Sequence, residues 1–119
     1  MSIDGIWVFE VAGAFGWDRI TTVFLEKGRY LGGSFAIYST GTYTIKGKKV
    51  TMKLDTTQHG KRIAMYGEKD HHFSTMVSAK IKKKGKIIEG TVSLEGARST
   101  TALYHVRWLK QEKIPGFPD

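Results

Sequence analysis

Val50-Thr51-Met52-Lys53-Leu54-Asp55-Thr56-Thr57 decides the fold. Val50, Met52 and Leu54 alternate with Thr51, Lys53 and Asp55. That period of two sets one apolar face on a core and one polar face in water. Just before it stands Lys46-Gly47-Lys48-Lys49, a glycine among cations between two apolar alternating runs, which reads as a hairpin tip.

Working outward from 50–57, the same grammar recurs. Strands are expected at 6–11, 19–25, 30–38 and 42–45 on one side, and at 71–81, 87–94 and 100–109 on the other. Trp7 and Phe9 share a face of the first, and Leu31, Phe35 and Ile37 are in phase in the third. Phe73, Val77, Ala79 and Ile81 line up in the sixth, Ile88, Val92 and Leu94 in the seventh, and Ala102, Tyr104, Val106 and Trp108 in the eighth. Val, Ile, Thr, Tyr and Phe dominate these segments, as a pleated, half-buried surface requires. No stretch carries a 3.6-residue repeat; residues 60–67, in the long loop 59–70, tolerate at most one helical turn. Gly32-Gly33 and Gly90 fall inside strands, where glycine marks a bulge or bend.

Eight strands joined mostly by tight turns predict an all-β, up-and-down antiparallel barrel, since closure removes the edges an open sheet exposes. One domain over 1–110 is expected, with an irregular tail over 111–119 that holds Pro115 and Pro118. A barrel of this size is nearly filled by side chains or holds one small ligand. Phe35, Met52 and Leu94 are the candidate lining of such a cavity.

Composition narrows the function. With 0 Cys there is no thiolate metal site and no cysteine nucleophile, and a reducing cytoplasm suits such a chain. The start reads as no signal peptide, and no apolar run approaches the ~20 residues of a membrane helix. His71 and His72 are adjacent on a strand and point to opposite faces, so they do not easily grip one metal, and a site joining His59 to one of them across the long loop has no carboxylate spacing to support it. No nucleophile, base and orienter converge in any recognisable motif, so the chain is read as binding rather than catalysing, without cofactor or metal. The net charge is +8, and of the 19 basic residues three lie in Lys46-Gly47-Lys48-Lys49 and four in Lys82-Lys83-Lys84-Gly85-Lys86. Both clusters surround a glycine at an expected turn, which favours solvated tips over a nucleic-acid surface, and no membrane contact is expected.

The first two strands are apolar on both faces: Ile6 and Val8 oppose Trp7 and Phe9, and Val23 and Leu25 oppose Ile20 and Phe24. A second apolar row calls for cover. A homodimer is therefore expected through Val8, Val23 and Leu25, helped by Phe15 and Trp17 of the glycine-rich loop 12–17.

Three segments together resemble the GrlR family of bacterial negative regulators of type III secretion genes. They are Asp4-Gly5-Ile6-Trp7, Gly28-Arg29-Tyr30-Leu31-Gly32-Gly33 and Tyr38-Ser39-Thr40-Gly41-Thr42-Tyr43. The resemblance implies a calycin-like or lipocalin-like eight-stranded barrel, commonly dimeric, that acts through protein contacts in the cytoplasm. It further implies that a surface turn contacts a regulatory protein. In the best-known members that turn is acidic, whereas the matching Lys46-Gly47-Lys48-Lys49 is basic, so a partner here would carry an acidic surface. A lipocalin-like carrier of a small apolar ligand in the barrel interior is the alternative expectation, with a basic nucleic-acid-binding module ranked third.

Overall fold

The computed structural model describes residues 2–13, 16–34, 36–59, 72–94 and 104–112. They form β1 (Gly5–Gly13), β2 (Gly16–Glu26), β3 (Arg29–Gly33), β4 (Ile37–Lys46), β5 (Lys49–Gln58), β6 (His72–Lys82), β7 (Ile87–Leu94) and β8 (Tyr104–Glu112). Each strand pairs antiparallel with the next, and β8 returns to β1, which closes the barrel in up-and-down order. The architecture is all-β and consistent with a calycin-like or lipocalin-like barrel. The helical turn expected within 60–67 lies outside the described residues.

Two of the expected strands are redrawn. The run 30–38 is not one strand: β3 stops at Gly33, the chain turns with the Ser34 N–H donating to the Ile37 carbonyl at 2.8 Å, and β4 begins at Ile37. The turn breaks the phase, so Leu31 faces out while Ile37 is buried. At the other end β8 continues through Glu112, past the expected start of the tail. No bulge falls at the expected glycines: the register runs unbroken through Gly32, Gly33 and Gly90, and the shifts fall at Phe9/Glu10 and Ile6/Trp7, while Gly33 does end β3 at the turn.

The β2–β3 turn has Lys27 and Gly28 at φ 49 and 81, the two left-handed residues of a tight hairpin. At the β6–β7 tip Lys83, Lys84 and Gly85 are all left-handed, with φ 54, 57 and 87. For the two lysines this conformation costs roughly 1–2 kcal/mol each.

The interior is a packed core rather than a channel. Trp7 and Trp108 are fully buried, and the Trp108 ring lies 4.8 Å from that of Phe9. Its indole N–H donates to the Tyr30 hydroxyl at 3.0 Å, while the Trp7 N–H donates to the Ile3 carbonyl at 2.9 Å. Met52, Val50 and Ile88 are fully buried in the same core cluster. Barrel closure has its own clasp on the outside. Glu10 is buried between two neighbours, accepting from Arg107 on β8 at 2.7 Å and from Arg19 on β2 at 3.4 Å. The Trp17 ring covers the Arg107 guanidinium at 4.1 Å. Charge-assisted bonds of this kind are stronger than neutral ones, and here they tie β8, β1 and β2 together.

Burial pushes the Tyr30 hydroxyl far above its ordinary range, with the bond from Trp108 offsetting a little. Tyr43 is raised too, first by burial, against a lowering by the Gly28 backbone and with a further rise from Asp4. A group that holds its proton more tightly in the folded state stabilises the fold fully below its unfolded pKa of about 10 and loses that contribution above it. The urea midpoint is therefore expected to fall between pH 9 and pH 11, and to fall less in Tyr30→Phe. Identical pH dependence in the two proteins would contradict this assignment.

Candidate functional site

The β2–β3 hairpin determines what the outer wall shows. Its two-residue turn aligns Glu26 with Arg29, Leu25 with Tyr30 and Phe24 with Leu31. Alternation then sends Leu25 and Tyr30 inward and leaves Phe24 and Leu31 side by side in water. They are 43% and 56% exposed, and Tyr38, diagonal to Leu31 across β3–β4, is 46% exposed. Phe24 and Leu31 line a groove of about 650 Å³ whose floor continues over Thr40 and Thr42 of β4. Glu26 and Arg29 stand at its rim, 3.4 Å apart. Isolated exposed apolar residues are ordinary, but three large ones on adjacent strands form a patch of the kind that marks an interaction site.

This wall is not built from the residues expected to form it. Val23 and Leu25 were expected outside; both are fully buried in the core. The reason is register: Val23 pairs with Trp7, whose face is inward, so Phe24 is the outward member of the row. Both rows of β2 are apolar in sequence, so only pairing with β1 decides between them. An extra residue, Ile20, between the Thr21–Phe9 and Arg19–Glu10 pairs also resets the phase along the strand. Val8 does face outward but is only 8% exposed, and Trp17 is half-buried over Arg107. Phe15 lies outside the described residues.

Of the expected cavity lining, Met52 sits in the packed core and Phe35 lies outside the described residues. Leu94 is the last residue of β7, and its side chain is likewise outside them. The interior does change character along its axis. Toward the β1–β2 and β3–β4 turns Thr21, Ser39, Thr56, Gln58 and Thr75 are buried among the apolar Phe9, Ile37 and Phe73. Ser39 and Thr56 pair in register and share a hydroxyl–hydroxyl bond of 2.8 Å. Among the described residues no buried side-chain nitrogen or oxygen lacks a partner. The sequence signal for this set is parity, since Thr56 and Gln58 are in phase with Val50, Met52 and Leu54.

Lys46, Lys48 and Lys49 do form an exposed hairpin tip, with Gly47 at φ 64. His72 is exposed with Nδ1 3.1 Å from the Thr57 hydroxyl, and no three metal-binding side chains gather among the described residues. No described helix is long and apolar enough to cross a membrane. No family model matches the chain, and neither does any curated protein.

Proposed function

We propose that this protein is a non-enzymatic regulatory binding protein of GrlR type, acting in the cytoplasm through protein–protein contacts, and that two copies meet through the outer wall of β2–β4. The observation that carries the reading is the Phe24–Leu31 pair, exposed on facing strands over the 650 Å³ groove. A two-fold contact must be self-complementary. This wall meets that condition, since its apolar strip can lie on a second copy of itself while Glu26 and Arg29 at the rim meet their opposites. The packed core around Trp7, Trp108 and Met52 also favours a surface-acting protein over a carrier.

Sedimentation of Leu31→Lys tests this. Wild type is expected to sediment as a dimer at micromolar concentration and the variant as a folded monomer, because a charge is desolvated at the contact without a partner. Monomeric wild type would sink the proposal. A carrier role remains the second reading, favoured by the buried polar set from Thr21 to Thr75 at one end of the interior.

A further inference from the structure

Along the chain the basic clusters look like separate solvated turns. The barrel changes that, because an up-and-down order places the β2–β3, β4–β5 and β6–β7 turns at the same end. It also sets lysines beside one another: Lys46 pairs with Lys49 across β4–β5, and Lys49 pairs with Lys80 across β5–β6. All three are exposed, and none is in an ion pair with a described residue. Like charges directly opposite on a sheet are destabilising. Lys83 and Lys84 hold left-handed backbone that Asn or Gly adopts more readily. Lysine thus stands at this end against local preference in two independent places, and residues that break local rules tend to be functional.

A shallow surface cleft of about 340 Å³ lies beside the row, lined by Lys49, Lys80 and Lys82 together with Ser78 and Thr91. Glu89 is the one acidic residue lining it, and Lys82 holds it at 2.9 Å. The cleft therefore offers ammonium and hydroxyl donors to an anion. We infer that this β4–β7 corner binds the phosphodiester backbone of double-stranded nucleic acid, without reading its sequence.

Three features choose that partner. The cations are lysines, point charges suited to phosphate, whereas planar pairing with carboxylates favours arginine and protein interfaces are depleted in lysine. Among the described residues the exposed aromatics Phe24 and Tyr38 are on the β2–β4 wall, so none of them gives the corner a stacking platform for a single strand. The tips Lys27-Gly28, Gly47-Lys48 and Lys83-Lys84-Gly85-Lys86 carry no apolar side chain to anchor in a bilayer. With cross-strand neighbours ~5 Å apart, the lysine row covers about 10 Å, over which a duplex presents about six phosphates.

The test is fluorescence anisotropy with a mixed-sequence 20-base-pair DNA duplex between 50 and 200 mM NaCl. With three phosphate contacts, from Lys46, Lys49 and Lys80, binding is expected to weaken on the order of forty-fold as salt rises across that range. Lys49→Gln and Lys80→Gln should each lower the log–log salt slope by about one, while Lys27→Gln, at the β2–β3 tip, should leave it unchanged. Both corner variants should melt no lower than wild type, since each relieves a like-charge pair. No duplex binding at 50 mM salt overturns the inference, as does an equal effect of Lys27→Gln, which would mean net charge alone acts. Tighter binding to polyglutamate or to phosphatidylserine vesicles overturns it in favour of an acidic protein or a membrane. These substitutions lie off the β2–β4 wall, so dimerisation is read separately by sedimentation.

Discussion

Val23→Lys is expected to abolish the folded state, while Lys at the adjacent Phe24 leaves it intact. Val23 is fully buried opposite Trp7 in the apolar core cluster, with Leu25 as its next inward neighbour toward the β2–β3 turn. A lysine there must either bury an unpaired ammonium or give up its proton, a shift of up to ~3–5 pKa units at about 1.36 kcal/mol each. Overpacking adds roughly 1–3 kcal/mol. The sum is comparable to the whole stability of a domain, ~5–15 kcal/mol. Phe24 points the other way, so Phe24→Lys changes stability by about 0.5 kcal/mol or less and acts on association instead. Thermal melts followed by circular dichroism separate the two. A Val23→Lys protein with a cooperative, wild-type-like transition would show that the inward and outward rows of β2 are exchanged.

Gly90→Ala is expected to be strongly destabilising, though still foldable, for a different reason. Gly90 faces inward between Ala79 of β6 and Val106 of β8. A methyl group at that position collides with the Ser78 carbonyl and with the Ala79 backbone, and neither moves without breaking the β6–β7 ladder. Gly41 is placed likewise against the Lys53 carbonyl of β5. Small-to-large changes in a packed interior cost about 1–3 kcal/mol and occasionally more. With backbone as the obstacle, the upper end or beyond is expected. Gly47→Ala is the contrast: its methyl group meets nothing within 4 Å, and only the left-handed φ of 64 opposes it. That cost is about 1–2 kcal/mol. Urea midpoints should fall in the order wild type, Gly47→Ala, Gly90→Ala. Equal midpoints for the two variants would remove the close approach of β6 and β7 from this account.

Barrel class and strand number were legible in the chain because both rest on local periodicity. Val50 to Leu54 alternates against Thr51 to Asp55, and the structure buries the first set and exposes the second. The sixth, seventh and eighth strands show the same agreement at Val77, Ile88 and Trp108. Where one face is apolar and the other polar, a one-residue slip is prohibitive, so the pattern names the inward face by itself. The boundary at Gly33–Ile37 was not legible. Leu31, Phe35 and Ile37 keep an apparent phase straight through a turn, and periodicity does not register a change of direction.

The amino-acid sequence by itself determined an all-β chain of eight short strands, with its glycine-marked hairpin tips, its apolar supply and its basic surplus. Tertiary structure alone decided the site. Both faces of β2 are apolar, so the choice between Val23 and Phe24 rested on which residue meets Trp7 across the β1–β2 ladder. Likewise Lys46, Lys49 and Lys80 are dispersed in sequence, and only the register of three strands makes them neighbours. A strand's alternation is a local property set by the pleat, whereas a surface patch is a sum over neighbouring strands. That sum exists only once non-local pairing has fixed the register.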